Sequence, residues 1–366
     1  MGKARQFLQL PGVFEMHRGG SISSPTIAYE TWGELNDKHD NAVLIFTGLS
    51  PSAHATASPV DPSPGWWEEM VGPYRPIDTH HYFVICINSL GSCFGSTGPA
   101  STDPDTGERY QLNFPVLSLE DVAAAGKAVV DYFAIKLLYA LVGPSMGGMT
   151  ALAFAAQFPR TSRNLVLLST AARSLPYSIA LRSLQREMIR RDPDWKNGLY
   201  EPGSGPIGGM RLARKLGMIS YRSGKEWKQR FGRERISGEE RSAGDSFAMD
   251  FEVEAYLEHH AQKFIGEFDA NCYLYLSRAS DLFDLAEHGG SIEAALKRVQ
   301  AESVLIIGVE SDGLFPIEQQ RELAAEFAAV GKLVRLVELA SIQGHDSFLA
   351  DMDGFRPVIG DFFAAG

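Results

Sequence analysis

Cysteine is scarce in this 366-residue sequence, which holds only Cys86, Cys93 and Cys272. An odd, scattered trio has neither the pairing arithmetic of a disulfide scaffold nor the close spacing of a zinc site, so a reducing compartment is expected. Basic charge is also short: 34 Lys and Arg stand against 45 Asp and Glu, a formal net charge of −11 at pH 7. That balance argues against a surface built for nucleic acid or acidic lipid. No apolar run approaches the ~20 residues needed to cross a bilayer, and the opening Met1-Gly2-Lys3-Ala4-Arg5-Gln6 begins no signal-peptide apolar region. The sequence therefore reads as cytoplasmic, without a membrane partner. His-Glu-x-x-His, Cys-x-x-Cys and a Walker lysine are all missing, as are internal repeats and low-complexity tracts. No metal and no permanently bound cofactor is expected. The remainder, 45% hydrophobic and 22% charged, is ordinary for a globular protein.

The most informative stretch is Leu141-Val142-Gly143-Pro144-Ser145-Met146-Gly147-Gly148-Met149. An apolar run, Leu137–Val142, reads as a buried strand ahead of it. Met149, Leu152, Ala153 and Ala156 follow at helical spacing until Phe158-Pro159. Between strand and helix lies Gly-x-Ser-x-Gly, the pattern of a nucleophile elbow. Such a turn lifts a serine hydroxyl over a helix N-terminus, and glycines two residues to either side allow close backbone approach.

Further apolar runs at Ala42–Phe46, Tyr82–Ile87, Leu165–Leu168, Val304–Val309 and Leu333–Val337 read as buried strands, and Asp121–Phe133 as a helix. Gly12–Met16 and Thr26–Trp32 read as short antiparallel strands. Apolar runs alternating with helices imply a mostly parallel central sheet flanked by helices, and the nucleophile elbow within it makes an α/β-hydrolase fold the expectation. The alternation stops between about 172 and 300, where Leu181–Ile189, Met210–Leu216 and Ala255–Phe264 read as helices separated by loops such as Glu201–Pro206. The expected organisation is a core over residues 1–171, an inserted helical lid over 172–300 and the rest of the core over 301–366.

A serine nucleophile needs a base within hydrogen-bond reach and an acid to orient that base. In this fold the partners follow in the order Ser, Asp or Glu, His, each on a loop after a strand. Asp312 follows the Val304–Val309 run, with Glu310 as a competitor, and Asp312, deeper in the loop beside Gly313, is preferred. His345 follows the last run. His54 lies near the loop after Ala42–Phe46; His80, His81, His259 and His260 read as structural or solvated. The oxyanion donors are expected to be the backbone N–H groups of Met146 and Leu49. A serine esterase or thioesterase has the same needs, so these residues alone leave hydrolysis and transfer both open.

Several colinear stretches carry a resemblance: Tyr29-Glu30-Thr31-Trp32-Gly33, Pro64-Gly65-Trp66-Trp67, Val84–Gly91, Gly95-Ser96-Thr97-Gly98-Pro99, Ser145–Met149, Tyr221-Arg222-Ser223, Phe231-Gly232-Arg233, Leu314-Phe315-Pro316 and Gly344-His345-Asp346. With them the chain resembles the homoserine O-acyltransferase family of the α/β-hydrolase fold over nearly its whole length. Gly48-Leu49-Ser50-Pro51 and Arg182–Glu187 are most similar to the branch that acylates L-serine with succinyl-CoA. Pro144 departs from the Gly or Asn usual before the nucleophile. The resemblance implies ping-pong transfer from an acyl-CoA co-substrate, succinyl-CoA or acetyl-CoA, to L-serine or L-homoserine, and a homodimer paired through lid helices.

It also implies that Arg214 holds the acceptor carboxylate and Asp346 its ammonium group. By composition alone Arg214, beside Arg211 and Lys215, reads as part of a solvated helix face. Arg182 is implied to face the acyl group, where a succinyl carboxylate needs a buried cation and an acetyl group does not. The alternative for Arg182 is a plain ion pair with an acid such as Glu187.

Overall fold

A strand buried on both faces must be apolar at every position, whereas one with a wet face alternates. Ala42–Phe46 shows the first pattern. Ala42, Leu44 and Phe46 pack into one hydrophobic cluster, Val43 and Ile45 into a second on the opposite face, and all five are essentially inaccessible. The computed structural model describes residues 4–237 and 245–365. Residues 1–3, part of the N-terminal stretch read above for a leader, lie outside it, as do 238–244 and 366.

Among the described residues eight strands share one sheet: β1 (Gln6–Gln9), β2 (Thr26–Trp32), β3 (Ala42–Phe46), β4 (Phe83–Ile87), β5 (Leu138–Pro144), β6 (Ser162–Leu168), β7 (Ser303–Val309) and β8 (Leu333–Leu339). Their spatial order is β1-β2-β4-β3-β5-β6-β7-β8. β2 runs antiparallel to both β1 and β4, and every later pairing is parallel. β1 has no counterpart in the sequence reading, because Gln6-Phe7-Leu8-Gln9 is too short and polar to announce itself.

Helices α1 (Leu119–Tyr132) and α2 (Met146–Gln157) cover one face of the sheet. Between β6 and β7 the chain runs through α3 (Pro176–Arg191), α4 (Ile207–Tyr221), α5 (Gly224–Phe231), α6 (Glu252–Phe264), α7 (Ala270–Leu282) and α8 (Ile292–Arg298). Among the described residues six α-helices thus stand between these two strands of the sheet. α7 had no periodic signal: nine of its residues are buried, and polar Asn271, Ser277 and Ser280 are among them. After β7 come α9 (Ile317–Ala329), the short α10 (Ser347–Ala350) and α11 (Met352–Ala364). Phe355, Ile359 and Phe363 of α11 cover the other face of the sheet together with Trp67 and Met70.

β8 differs from its expectation as a buried strand. It is the sheet edge, its residues range from half-buried to exposed, and Leu333 is 71% exposed. With β7 as its one neighbour among the described residues, it carries outward charges that discourage further pairing: Glu338 meets Arg321, and Arg335 lies near Asp361. Among the described residues no helix is long and apolar enough to cross a membrane.

Candidate active site

β5 delivers the chain from the sheet centre into α2 across a single residue. Ser145 takes φ 55° and ψ −125°, a conformation that costs a non-glycine residue on the order of 1–3 kcal/mol. Several bonds hold it there. The Ser145 N–H donates to the Leu168 carbonyl at 2.8 Å, and Thr170 Oγ1 donates to the Ser145 carbonyl at 2.8 Å. The flanking glycines have a steric reason. A Cβ on Gly143 would stand 2.2 Å from the Gly147 carbonyl oxygen, and one on Gly147 would stand 2.2 Å from that of Phe46. Pro144, the departure noted above, is accommodated as the last residue of β5, paired in register with Leu168.

Loops after β7 and β8 bring Asp312 and His345 to the elbow. His345 Nε2 lies 2.7 Å from Ser145 Oγ, and His345 Nδ1 lies 2.7 Å from Asp312 Oδ2. A proton on Nδ1, donated to Asp312, leaves Nε2 as the acceptor for the serine hydroxyl. The other oxygen of Asp312 accepts the N–H groups of Leu314 and Phe315, both at 2.8 Å, which fixes the carboxylate. Phe315 stacks on the His345 ring with centroids 5.1 Å apart, and Phe348 meets its edge. Glu310 is exposed and its N–H bonds to Leu339, so it is Asp312 that the structure places against His345.

Ser145 opens into a cavity of about 180 Å³, lined by Gly48, Leu49, Ser50 and Pro51 after β3 and by Met146, His345 and Asp346. Arg182, Gln185, Arg214 and Tyr221 reach it from α3 and α4. The first-turn N–H groups of a helix lack intrahelical acceptors, and Met146 opens α2. Neither its N–H nor that of Leu49 takes a partner among the described residues.

Arg214 has no carboxylate partner among the described residues. Its guanidinium lies over the Phe264 ring at 4.6 Å, and its Nε is buried without a hydrogen bond. Asp346 is differently placed: Arg222 Nε donates to its Oδ2 at 3.1 Å. Burial raises the Asp346 pKa above the ordinary aspartate value, against the pull of Arg222, His345 and Arg214. His54 is taken up elsewhere, with Nδ1 2.8 Å from buried Glu30 and Nε2 2.8 Å from the Ser63 carbonyl.

Residues 41–349 match the family described as the alpha/beta hydrolase fold. Over 365 residues the chain is 56% identical to a serine O-succinyltransferase from Litchfieldella anticariensis, covering 100% of this chain and 99% of that one. It is 52% identical over 364 residues to an L-serine/homoserine O-acetyltransferase from Streptomyces lavendulae, covering 99% of this chain and 97% of that one. The chain belongs to the homoserine O-acyltransferase family of the α/β-hydrolase fold. A solved homoserine O-acetyltransferase from Bacillus anthracis superposes with a TM-score of 0.89 at 28% identity, over 98% of this chain and 96% of that one. Esterase E22 superposes nearly as well, with a TM-score of 0.88 at 27% identity over 98% and 99%. The solved neighbours thus include a transferase and an esterase, so likeness of fold alone does not separate transfer from hydrolysis.

Contacts that the sequence left unremarked hold the side chains around this family member's cavity. Arg182 does not pair with Glu187, which instead meets Arg191. Its Nε donates to Asp281 of α7 at 2.6 Å, and its Nη2 donates to Ser174 Oγ at 2.6 Å. Arg222, quoted in the sequence only within a motif, spans from the end of α4 to the histidine loop, holding Asp346 and, at 2.7 Å, Gln343 Oε1. No local pattern marks either contact, because the partners lie 99 and 124 residues apart in the chain.

Proposed function

We propose that the chain is an acyl-CoA-dependent O-acyltransferase that moves a succinyl group from succinyl-CoA to the hydroxyl of L-serine by way of an acyl-enzyme. Ser145 Oγ attacks the thioester carbonyl as His345 takes its proton. The C–S bond breaks, and the thiolate of coenzyme A leaves with that proton. The acceptor hydroxyl then attacks the Ser145 ester, His345 again taking and returning the proton, while Asp312 holds the imidazole tautomer. Both tetrahedral intermediates place an oxyanion before the N–H groups of Leu49 and Met146.

The observation that carries this reading is Arg214. A guanidinium with a buried, unpartnered Nε, beside Asp346 and opening on the cavity of Ser145, is what a zwitterionic acceptor requires. A simple ester hydrolase has no use for the pair, and about 180 Å³ leaves little room for bulk water once an amino acid is bound. Arg182, lining the same cavity, supplies the cation that a succinyl carboxylate needs. The acetyl alternative draws on the name of the Streptomyces relative, and it leaves Arg182 with nothing to recognise. An O-succinylated serine carries an activated hydroxyl suited to later replacement by sulfide, which places the reaction in cysteine synthesis. With L-homoserine as acceptor, the same chemistry would serve methionine synthesis.

The test is a matrix of succinyl-CoA or acetyl-CoA against L-serine, L-homoserine or water, following thiol release. Fastest release with succinyl-CoA and L-serine is expected. Release as fast with water as with any amino acid would replace transfer by hydrolysis.

A further inference from the structure

Arg182 and Arg186 stand one turn apart on α3 and converge on a single carboxylate, Asp281 of α7. Arg182 Nε lies 2.6 Å from Oδ1, and Arg186 Nη2 lies 2.6 Å from Oδ2 as an ion contact. The three side chains are 9%, 12% and 3% exposed, so the cluster is withdrawn from water. Serines complete it: Ser174 accepts from Arg182 at 2.6 Å, and Ser277 accepts from Arg186 at 2.9 Å. Of the three charged groups, only Arg182 lines the cavity of Ser145. Arg186 faces the other way, into an outer basin bounded by Leu274, Arg278 and Arg190.

An Arg182–Asp281 pair on its own is neutral and presents no net charge to an acyl group. The second arginine changes the sum, giving two cations on one anion and an excess of one positive charge at the wall that Arg182 forms. Of the Arg182 nitrogens, Nη1 takes no partner among the described residues. In a region of low dielectric such an excess attracts an anion strongly and is itself costly when unmatched.

We propose that Arg186 and Asp281 set the acyl-donor preference from outside the cavity. Arg186 occupies the anion that would otherwise neutralise Arg182, and so keeps Arg182 available to the free carboxylate of a dicarboxylic acyl group. This rests on the acyltransferase reading above and adds to it a residue that touches neither substrate. Arg186 is a positioning residue, and Asp281 orients Arg182 while being only half satisfied by it.

The experiment compares kcat/KM for succinyl-CoA and acetyl-CoA in wild type, Arg186→Lys, Arg186→Met and the double variant Arg186→Met/Asp281→Asn. Arg186→Met should lower the succinyl-to-acetyl ratio at least tenfold, mainly through KM for succinyl-CoA. Arg186→Lys keeps the charge and should keep most of the preference. The double variant restores the excess positive charge on Arg182 and should recover the ratio at least in part, although it has lost more native contacts. A structural role predicts the reverse, with the double variant worse than the single and both donors falling together. That result, or an unshifted ratio in Arg186→Met, overturns the proposal. Thiol release from neither donor by wild type would overturn the acyltransferase reading and this inference with it. Release from both with an unshifted ratio defeats this inference alone.

Discussion

The sheet and the helical insertion build two halves of one cavity by different physical means. On the sheet side, reactive groups are held by backbone. Ser145 is fixed by its φ of 55° and by bonds to Leu168 and Thr170, and Asp312 by two N–H donors. On the helical side, Arg182, Arg186, Asp281 and Arg222 are held by side-chain ion pairs between α3, α7, α4 and the histidine loop. Backbone geometry of this kind leaves little to tune, since a Cβ at Gly143 or Gly147 would collide with it. An ion-pair layer can be retuned by one substitution. The contrast fits a scaffold whose covalent chemistry is constant and whose choice of acyl group lies with the helices.

Removing a group on the sheet side should abolish the chemistry without unfolding the chain. Ser145→Ala is expected to lose several orders of magnitude in thiol release with every donor. It should stay folded, because the hydroxyl has His345 as its one partner among the described residues. Undiminished release by this variant would remove Ser145 from the chemistry.

A change on the helical side should alter preference rather than abolish catalysis. Arg182→Leu leaves Asp281 paired with Arg186, so the fold keeps a balanced pair. Succinyl transfer should fall by roughly 2–4 orders of magnitude, since an unpaired buried charge costs about 3–5 kcal/mol. Acetyl transfer should change little, and equal losses for both donors would reassign Arg182 to structure. The acceptor half of the comparison is sharpened by Arg214→Ala. Losing a charge-assisted bond to a carboxylate costs on the order of 1.5–3 kcal/mol, so kcat/KM for the amino acid should fall at least ~tenfold. Acylation by acyl-CoA alone should persist in that variant, and its loss with an unchanged acceptor KM would assign Arg214 to the donor.

The smallest effect concerns pH. Burial raises the Asp346 pKa, so the carboxylate proposed to meet the acceptor's ammonium protonates at a higher pH than an exposed aspartate does. KM for the amino acid should therefore climb as pH falls through that raised value. Arg222→Gln, which removes a cation that holds the pKa down, should move the climb to higher pH. For stability the sign is the opposite of that for an aspartate whose pKa its ion pair lowers, because here burial outweighs Arg222. A folded pKa above the unfolded one contributes stability that is present below the unfolded value and lost as pH rises through the folded value. Asp346→Asn should accordingly raise Tm at neutral pH while weakening acceptor binding. A lowered Tm would show that Arg222 outweighs the burial of Asp346.

How much of this was legible in the sequence follows the same division. Strands buried on both faces are written as unbroken apolar runs, and the loops that carry Ser145 and Asp312 each follow one, whereas the His345 loop follows the edge strand β8 and was placed by chain order. β8 misled because an edge strand in a parallel sheet can keep an apolar run while half of it faces solvent. In the insertion, Arg214 read by composition as one cation on a wet helix face, and only the family resemblance drew it inward. Asp281 carried no signal, and Arg186 only its place within the Arg182–Glu187 stretch of the resemblance. Each reads as a surface charge until helices distant in sequence are packed together, and the charge that matters belongs to the cluster rather than to any residue.

The most direct test of that division is a competition without acceptor. Wild-type protein is mixed with equal amounts of succinyl-CoA and acetyl-CoA, digested, and the peptide carrying Ser145 is examined by mass spectrometry. Covalent chemistry fixed by the sheet and acyl choice exercised by the helices predict a single modified site, Ser145, bearing mostly succinyl. An adduct on another residue, or a Ser145 peptide bearing mostly acetyl, would contradict it.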